Sequence, residues 1–410
     1  MQRAFNKAAR WVFRNKKTSI TAEDLNEESV QPLINGVNSV LQDGFNRGIA
    51  YNVPSAMKRS LSENVFIFSG AKTQRELKEL SGLLLDGDKV RPFNEFWKEA
   101  QKIHATYNKT YLEAEYIFTT QSAQMASKWS EYEEDGDRYN LQYRTAYDER
   151  VRELHQPLHD ITLPLIDSFW DRYFPPNGWR CRCTAVQVRK SKYPESNSEQ
   201  AQKLGNQATQ GRDTLFRFNL GKQKKIYPDD HPYTEVLNKT EKRILETKSA
   251  VYVRDAEDVI EKKFKSGGVL QMPKDFQQNK QEEAKNILAY TLLAKHYGEK
   301  YRLLSVINKH KVKNPDALNL LTGKHSDVKI PISNNGKNAI QNSIKEASKQ
   351  RVSEAYIYLD KEYRMQDIWA GLKSSLQKGR AETIETIIIR LKSGEVKRYD
   401  TNKLREVFVK

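Results

Sequence analysis

The sequence predicts a multidomain protein that is mostly α-helical and loop-rich in its N-terminal part and α/β in its C-terminal part. Three observations lead to this prediction. The chain has 410 residues, which exceeds the size at which a single hydrophobic core keeps growing. Apolar residues recur at helical spacing through the first third and then give way to a proline-rich segment. Toward the C-terminus, helical and strand patterns alternate in the order αβββαβ, followed by a further helix and strand.

The N-terminal part predicts helices that give way to irregular structure. Apolar residues follow a helical period from Val30 onward and again over Phe93–Trp129. Between residues 148 and 183, four prolines interrupt every helix-length pattern, so an irregular but compact segment is expected. The stretch from 190 to 212 is polar and rich in Ser, Gln and Asn, which predicts a surface excursion rather than a packed element.

The C-terminal part has the most regular pattern in the chain. Apolar residues at helical spacing alternate there with short runs of β-branched and aromatic residues. In chain order, the predicted elements are a helix over 283–296, strands over 301–306, 317–321 and 327–330, a helix over 339–350, a strand over 355–359, a helix over 365–376 and a strand over 386–391.

The charge of the chain is strongly basic and unevenly distributed. Lys and Arg number 69 against 53 Asp and Glu, which gives a net charge of +16. Residues 251–410 contain 31 Lys and Arg against 20 Asp and Glu, so most of the surplus is C-terminal. A domain of this charge is expected to approach nucleic acid, although a solvated lysine-rich surface gives the same count.

Several classes of protein are excluded at this point. No apolar run approaches the roughly 20 residues that span a bilayer, so no membrane protein is predicted. The stretch Met1–Lys17 lacks an apolar run before a small-residue cleavage site, so no secretory signal is expected. The protein is instead expected to be synthesised in a cytoplasm. The two cysteines, Cys181 and Cys183, are too close in sequence to hold the fold together by a disulfide.

Two aspartates and a lysine in the C-terminal part indicate metal-dependent phosphodiester hydrolysis. This chemistry needs hard oxygen ligands for Mg²⁺ or Mn²⁺ and a cation that orients the attacking water. If Asp316 enters one strand of a hairpin and Asp327 lies on its neighbour, their carboxylates converge. Lys329, two residues beyond Asp327, then points to the same face. The backbone carbonyl of Val328 is a candidate third metal ligand.

A helical glutamate and three later side chains complete the candidate site. Glu283, at the start of the predicted helix and on its buried face, is preferred over Glu282 as a metal ligand, directly or through water. On the helix that follows the Asp-x-Lys strand, Gln341, Lys345 and Gln350 are candidates for contact with a substrate backbone. The alternative interpretation is that these three are ordinary polar residues of a helix surface.

With Pro315-Asp316, Asp327-x-Lys329 and a helical glutamate in this order, residues 280–400 resemble the PD-(D/E)xK nuclease superfamily, which implies a restriction-endonuclease-like core. Within it, the stretches KNPDALNLLTGKHSDVKIP, IQNSIKEASKQ and AYIYLD are similar to C-terminal toxin domains of bacterial contact-dependent inhibition proteins. That resemblance implies a polymorphic toxin that cleaves tRNA or DNA. It also implies a cognate immunity protein as partner.

The middle of the chain carries several separated motifs. They are the run Tyr143–His155, DSFW at 167–170, PPNGWRCRC at 175–183, and then FRFN and HPY. In this order they resemble the phage Mu F-like head morphogenesis domain. The resemblance implies a minor head protein of the virion, present in few copies, with portal and capsid proteins as partners. The predicted domains are a helical region over 1–90, the Mu F-like domain over 91–240 and the nuclease-like domain over 245–410.

The residues His155, Cys181 and Cys183 offer three soft metal ligands within the proposed Mu F-like domain. They would bind a structural Zn²⁺ if a fourth ligand joined them. The Cys-x-Cys spacing is shorter than the usual spacing in such sites, so the sequence favours buried cysteines and a histidine that is hydrogen-bonded to the loop. Arg180 and Arg182, which alternate with the cysteines, are expected to pair with Asp148 or Glu149. The alternative is that they face packaged DNA.

Together, these patterns predict a phage head morphogenesis protein with a C-terminal metal-dependent nuclease. One alternative is a purely structural minor capsid protein whose basic C-terminal domain binds packaged DNA without cleaving it. Another is a metal-independent RNase, which would need acid/base histidines. The C-terminal histidines His296, His310 and His325 form no persuasive pair. Cleavage of nucleic acid with and without a chelator would distinguish the three.

Overall fold

The computed structural model of the chain describes residues 1–274, 276, 278, 280–308 and 312–409. Its residues form two compact units, 1–250 and 251–410. The first unit is mainly helical and the second combines helices with a large sheet. The predicted fold class, a multidomain protein with an α part followed by an α/β part, is confirmed. Among the residues described, no helix has both the length and the apolar character to cross a membrane.

The first unit is built from helices and two small antiparallel sheets. Its helices are α1 Gln2–Arg14, α2 Gln31–Gly48, α3 Ser55–Gly82, α4 Phe93–Ala105, α5 Leu112–Asp135, α6 Phe169–Tyr173, α7 Ser198–Ala208, α8 Leu220–Gln223, α9 Pro232–Glu235 and α10 Lys239–Asp255, which contains the last residue of the unit. Its strands are β1 Leu85–Asp86, β2 Lys89–Val90, β3 Tyr139–Arg144, β4 Thr162–Pro164 and β5 Thr184–Arg189. Strands β1 and β2 pair with each other, and β3 lies between β4 and β5.

The helices α2 and α5 approach each other closely at two glycines. A Cβ added at Gly48 would lie 2.1 Å from the carbonyl oxygen of Thr120, and one at Gly44 would lie 2.9 Å from Thr120 Oγ1. No larger side chain fits at this contact. The core around it also takes in Phe68 of α3 and Tyr227, whose rings stack with centroids 3.5 Å apart. The residues on either side of position 90, where the sequence predicted a domain boundary, therefore share one hydrophobic core.

The polar stretch at 190–212 was predicted as a surface excursion, and this prediction is wrong, because the stretch contains α7. The Asn197 side chain caps the helix by accepting a backbone N–H of the first turn at 2.8 Å. The buried residues of α7 are Ala201, Gly205 and Ala208. Small residues form the buried face, so a search for large apolar residues at helical spacing does not reveal it.

The second unit is an α/β fold around one mixed sheet. Its helices are α11 Lys280–Tyr297, α12 Gly336–Lys349, α13 Met365–Ser375 and α14 Thr401–Val409. Its strands are β6 Val259–Lys263, β7 Val269–Pro273, β8 Lys300–Leu303, β9 Ala317–Asn319, β10 His325–Lys329, β11 Glu354–Tyr358, β12 Thr386–Arg390 and β13 Val396–Asp400. The strand order is β13-β12-β11-β10-β9-β8-β7-β6. The pairs β7–β8, β10–β11 and β11–β12 are parallel, and the other neighbours are antiparallel.

Helices cover both faces of this sheet. On one face, Ala289, Tyr290 and Leu293 of α11 pack with Val328 of β10. On the other face, α12 and α13 pack on alternate residues of β11 and β12. Because successive side chains of a strand point to opposite faces, Asp327 lies on the face away from the α11 core. The predicted order of elements from α11 to β12 is confirmed, whereas β6, β7, β13 and α14 were not predicted.

Candidate functional site

The pairing of β9 with β10 places two aspartates opposite each other. Ser326 pairs with Ala317 in an antiparallel register, and the next step along that register sets Asp327 against Asp316. On its other side, the backbone carbonyl of Asp316 accepts the N–H of Leu304 at 3.0 Å. The structure thus brings together two of the residues that the sequence singled out, although ten residues separate them in the chain.

The carboxylate of Asp316 is held by two hydrogen bonds. Its Oδ1 accepts Nδ2 of Asn286 at 2.8 Å, and its Oδ2 accepts the backbone N–H of Val328 at 2.8 Å. Since the N–H and C=O of one residue in an extended strand point to the same edge, the Val328 carbonyl also faces the edge at which Asp316 lies. Asn286 donates in turn to Oε1 of Gln278 at 2.9 Å. The orientation of Asp316 is therefore fixed before any ligand binds.

Burial makes both carboxyl groups of this pair weaker acids than exposed aspartates. Asp327 is 1% exposed, and burial together with the charge of Asp316 raises the pKa of Asp327 to about 8. Burial raises the pKa of Asp316 as well. Each of the two carboxyl groups affects the pKa of the other. Near neutral pH, the pair consequently retains a proton that two exposed aspartates would release.

Lys329 is the cationic and more accessible member of the cluster. Its Nζ lies 2.6 Å from Oδ2 of Asp327, and its side chain is 30% exposed whereas that of Asp327 is 2% exposed. Burial lowers the pKa of Lys329, but the charges of Asp327 and Asp316 outweigh burial and leave this pKa above its ordinary value. The ammonium group is therefore charged, and an anion that approaches the cluster from solvent meets it first.

The two adjacent glutamates of α11 have different surroundings. Glu282 lies one helical turn before Asn286, so both occupy one face of the helix. Burial is the largest cause of the raised pKa of Asp316, and the charge of Glu282 adds to it. Glu283, which the sequence favoured, instead accepts the backbone N–H of Gln278 at 3.4 Å. The surroundings favour Glu282 as the helical carboxylate of the cluster.

The three candidate residues on α12 and at its C-terminal cap fall into two groups. Gln350 accepts the backbone N–H of Asn314 at 3.2 Å, and so holds the segment that leads into Asp316. Gln341 and Lys345 line a cleft of about 570 Å³. In the part of the chain that the structure describes, no hydrogen bond or ion pair joins either of them to the aspartates. The other residues of the cleft are Ile344, Ser348, Lys349, Ser375, Arg380 and Ala381.

The histidines of the second unit have separate surroundings. Nε2 of His325 lies 3.4 Å from Oδ2 of Asp255, and His296 belongs to the last turn of α11. His310 lies outside the described residues. Among the residues that are described, no two histidines of this unit contact each other, so the structure offers no histidine pair for acid/base chemistry.

A second cluster of chemically active side chains lies in the first unit. Nδ1 of His155 is 3.7 Å from Sγ of Cys181 and 3.7 Å from Sγ of Cys183. All three residues are buried, and their ligand atoms lie within 4.8 Å of one another. A hydrogen bond from Cys183 is the largest cause that lowers the pKa of Cys181 well below its ordinary value, while the pKa of Cys183 is raised. The structure thus joins a histidine to a cysteine pair 26 and 28 residues away.

Arg152 holds together the two segments that carry this cluster. It precedes the short 3₁₀ helix Glu153–Leu158, which contains His155. Its guanidinium donates to the carbonyl of Trp179 at 2.7 Å and to Asp213 Oδ2 at 2.9 Å. A Cβ at Gly178 would lie 2.1 Å from the guanidinium, so a larger residue there would displace the Arg152 side chain from this position. The histidine segment and the cysteine loop are therefore anchored to each other.

The two arginines beside the cysteines pair with carboxylates; Arg182 pairs with Asp148, as predicted, whereas Arg180 pairs with Glu113, which was not predicted. Arg182 donates two hydrogen bonds to Asp148, at 2.7 and 2.5 Å. These bonds are the main reason that the pKa of Asp148 is lowered to about 2. Nη2 of Arg180 lies 3.4 Å from Oε2 of Glu113. Both arginines thus contribute to anchoring the loop to its surroundings.

Comparison with known proteins identifies the class of domain in the first unit. Residues 78–186 match the family described as Phage Mu protein F like protein. This stretch contains His155 and both cysteines, and it lies entirely within the first unit. Residues 78–186 are therefore a Mu F-like domain, which confirms that part of the predicted resemblance.

One particular relative is similar to this chain over a short stretch. Over 69 residues, the chain is 36% identical to protein F of Escherichia phage Mu, which is named as a capsid assembly protein. The aligned stretch makes up 17% of this chain and 16% of that protein, so the chain spans about one sixth of the relative it matches. No solved structure matches the chain.

Proposed function

We propose that this chain is a phage head morphogenesis protein that carries a metal-dependent nuclease in its second unit. The observation that carries the nuclease proposal is the buried, facing pair of Asp316 and Asp327 with Lys329 at its accessible side. The head morphogenesis part is supported by the Mu F-like domain and by the relative that is named for capsid assembly. The proposal places the chain in the virion, with portal and capsid proteins as partners.

The residues of the pair fit a hard divalent cation. Two carboxylates placed directly opposite each other repel, and burial increases the cost of ionising both. The raised pKa of Asp327 reflects this cost. A Mg²⁺ or Mn²⁺ ion would offset the cost of ionising both carboxylates by neutralising their charges. Oxygen atoms are the ligands that these ions prefer. The carbonyl of Val328 adds a third oxygen at the same edge.

The ion would be held by Asp316, Asp327 and the Val328 carbonyl, with Glu282 binding directly or through water. When bound, it would supply Lewis acidity toward a phosphodiester and a water of lowered pKa. The chain's own part is to keep the ligands fixed and to stabilise negative charge. Asn286 and the Val328 N–H orient Asp316. Lys329 is placed to attract the phosphate and to orient the attacking water.

The charge of the second unit supports a polyanionic substrate. Its surplus of Lys and Arg would draw nucleic acid to the surface over distances of about one Debye length, roughly 8 Å at physiological salt. The cleft beside α12 presents Lys345, Lys349 and Arg380, which suit contacts to a phosphate backbone. We propose tRNA or DNA as substrate. A cell that makes such a nuclease needs protection from it, so a cognate immunity protein is part of the proposal.

Cleavage assays with the full-length chain test the nuclease proposal. tRNA and plasmid DNA would be incubated with the protein in Mg²⁺, in Mn²⁺ and in excess chelator. Asp316→Asn removes one charge of the pair, and Glu362→Gln, at an exposed position of the same unit, is the matched control. We expect cleavage that needs the divalent ion, falls about 100-fold or more in Asp316→Asn and is unchanged in Glu362→Gln.

Other outcomes would support the alternatives. Binding of DNA without cleavage in any metal would indicate a structural capsid protein with a basic, DNA-binding second unit. Cleavage that persists in excess chelator would indicate a metal-independent RNase. Either result would overturn the metal-dependent nuclease, while leaving the Mu F-like domain of the first unit untouched.

A further inference from the structure

The His155, Cys181 and Cys183 cluster has the dimensions of a tetrahedral metal site. With Zn–S bonds of about 2.3 Å and Zn–N bonds of about 2.0 Å, tetrahedral angles set the N···S separation at roughly 3.5 Å and the S···S separation at roughly 3.8 Å. Both N···S separations in the structure are 3.7 Å. The two N···S separations are thus close to those of a tetrahedral zinc site, and all three ligand atoms lie within 4.8 Å of one another.

Hydrogen bonding alone accounts less well for this geometry. The Nδ1 atom of a neutral imidazole has one lone pair in the ring plane, so it accepts one S–H donor with good geometry rather than two. Yet both sulfur atoms lie at the same distance from Nδ1 of His155. Nε2 of the ring is buried and has no hydrogen-bond partner among the described residues. A cation between the three atoms would explain why both sulfur atoms lie equally far from Nδ1.

We propose that His155, Cys181 and Cys183 bind a Zn²⁺ ion in the Mu F-like domain. A water molecule from the adjoining cavity, which has a volume of about 240 Å³, takes the fourth position. Thiolate and imidazole ligands select zinc over Mg²⁺ and Mn²⁺. This site is therefore chemically distinct from the carboxylate pair of the second unit and does not depend on the proposed nuclease.

The position of the site explains what the ion does. It links the 3₁₀ helix Glu153–Leu158 to the loop that precedes β5, within the proline-rich segment where regular elements are short. Such a segment gains few backbone hydrogen bonds from secondary structure, so a metal cross-link supplies the constraint that helices and strands supply elsewhere. The bonds of Arg152 to Trp179 and Asp213 bring the ligands close before the ion arrives.

The chain is well suited to a test by cobalt substitution. Its two cysteines are Cys181 and Cys183, so any thiolate-to-cobalt charge-transfer absorption must come from this cluster. The full-length, reduced protein would be stripped with chelator and titrated with Co²⁺ and then with Zn²⁺. We expect about one equivalent of Co²⁺ to give the charge-transfer band and the d–d bands of a tetrahedral ion, and Zn²⁺ to displace it.

Variants separate the proposed site from other metal-binding groups. Cys181→Ser and Cys183→Ser are each expected to abolish the charge-transfer band or reduce it severalfold. His159→Gln changes a neighbouring histidine that accepts the backbone N–H of Thr145, so it should leave the band unchanged. Zinc content of the purified protein, measured by mass spectrometry, should be about one atom per chain in the wild type and close to zero in the cysteine variants.

Two results would overturn the proposal. One is a reduced, folded wild-type protein that gives no cobalt charge-transfer band at any ratio of metal to protein. The other is a protein whose two thiols react with a thiol reagent at the same rate with and without Zn²⁺. Because both measurements use the wild-type chain, misfolding of a variant affects neither of them.

Discussion

Two adjacent glutamates at the start of α11, Glu282 and Glu283, show that a shift of one residue decides which side chain belongs to the candidate site. Hydrophobic periodicity pointed to Glu283, because this residue lies on the buried face of the helix. The cluster lies instead next to the face of Asn286, which binds Asp316 at 2.8 Å. That bond joins residues 30 positions apart, and no local pattern reveals it. Both glutamates lie within one helical turn of Asn286, so helix spacing alone does not distinguish them.

The two glutamates form a matched pair for mutagenesis. In Glu282→Gln, we expect the proposed nuclease activity to fall about 10-fold or more, because a negative charge that supports metal binding is lost. Glu283→Gln should change the activity less than about threefold, since that side chain contacts the Gln278 backbone instead. Cleavage rates at saturating Mg²⁺ measure both effects. Equal losses in the two variants, or a larger loss in Glu283→Gln, would contradict this assignment.

In the first unit, one buried ammonium group lies beside two buried carboxyl groups. Lys72 forms an ion pair with Glu115, and Glu76 lies beside them with both its side chain and theirs buried. One ammonium group can neutralise one carboxylate, so the other carboxyl keeps its proton. Burial is the main cause that raises the pKa of Glu76 to about 8. Asn108 donates to its Oε1 at 2.5 Å.

This arrangement predicts a pH-dependent stability. The pKa of Glu76 is higher in the folded chain than in the unfolded chain, so its contribution is complete below about pH 4.5 and is lost as the pH rises to about 8. Glu76→Gln resembles the protonated form. The variant should therefore become more stable than the wild type as the pH rises from about 4.5 to about 8. The difference between their free energies of unfolding should grow by an amount of the order of 4 kcal/mol. Urea denaturation across this pH range measures the difference, and a constant difference would contradict the account.

At the scale of elements, sequence patterns found the strands from β8 to β12 and missed both exposed edge strands, together with the interior strand β7. The elements from α11 to β12 were predicted because β-branched and aromatic runs mark their strands. In contrast, β6 has mostly exposed residues and β13 carries charged residues along its length. Both are edge strands of the sheet, and charged side chains are common at edges because they prevent pairing with other chains. Their alternation of apolar and polar residues is correspondingly weak.

The contact between α2 and α5 provides a test at this scale. In Gly48→Ala, the added methyl group meets the Thr120 carbonyl, and we expect the free energy of unfolding of the first unit to fall by about 1–3 kcal/mol. Gly82→Ala is the matched control, since no atom lies within 4 Å of a Cβ at that helical position. It should be neutral or stabilising by up to about 1 kcal/mol. Urea denaturation of both variants would decide, and equal effects would argue against close packing at Gly48.

For the whole molecule, the sequence predicted the two kinds of structure and the Mu F-like domain, because their signals are long and repeated along the chain. Regular periodicity over many residues identified the α and α/β parts. Separated motifs in a fixed order identified the Mu F-like domain, which the family match over residues 78–186 confirms. The contacts within both clusters depend on tertiary packing and could be predicted only in part. Asp316 and Asp327 were predicted to converge, but the hydrogen bonds that fix Asp316 were not.

The proposed place of the chain in the virion leads to a prediction about phage particles. We expect purified particles of a phage that encodes this chain to contain it at a small fraction of the copy number of the major capsid protein. Quantitative mass spectrometry of density-purified particles measures that ratio. Absence of the chain from particles, with abundant chain in the infected cell, would contradict a minor head protein.

The central claim is that Asp316 and Asp327 hold a divalent cation that enables the chain to cleave nucleic acid. The most direct measurement is the single-turnover cleavage rate of the full-length wild-type chain and of Asp327→Asn in Mg²⁺. Our account predicts cleavage by the wild type and a rate lower by about 100-fold or more in the variant, with an unchanged circular dichroism spectrum. Wild-type protein that binds nucleic acid without cleaving it, or a variant that cleaves at the wild-type rate, would contradict the claim.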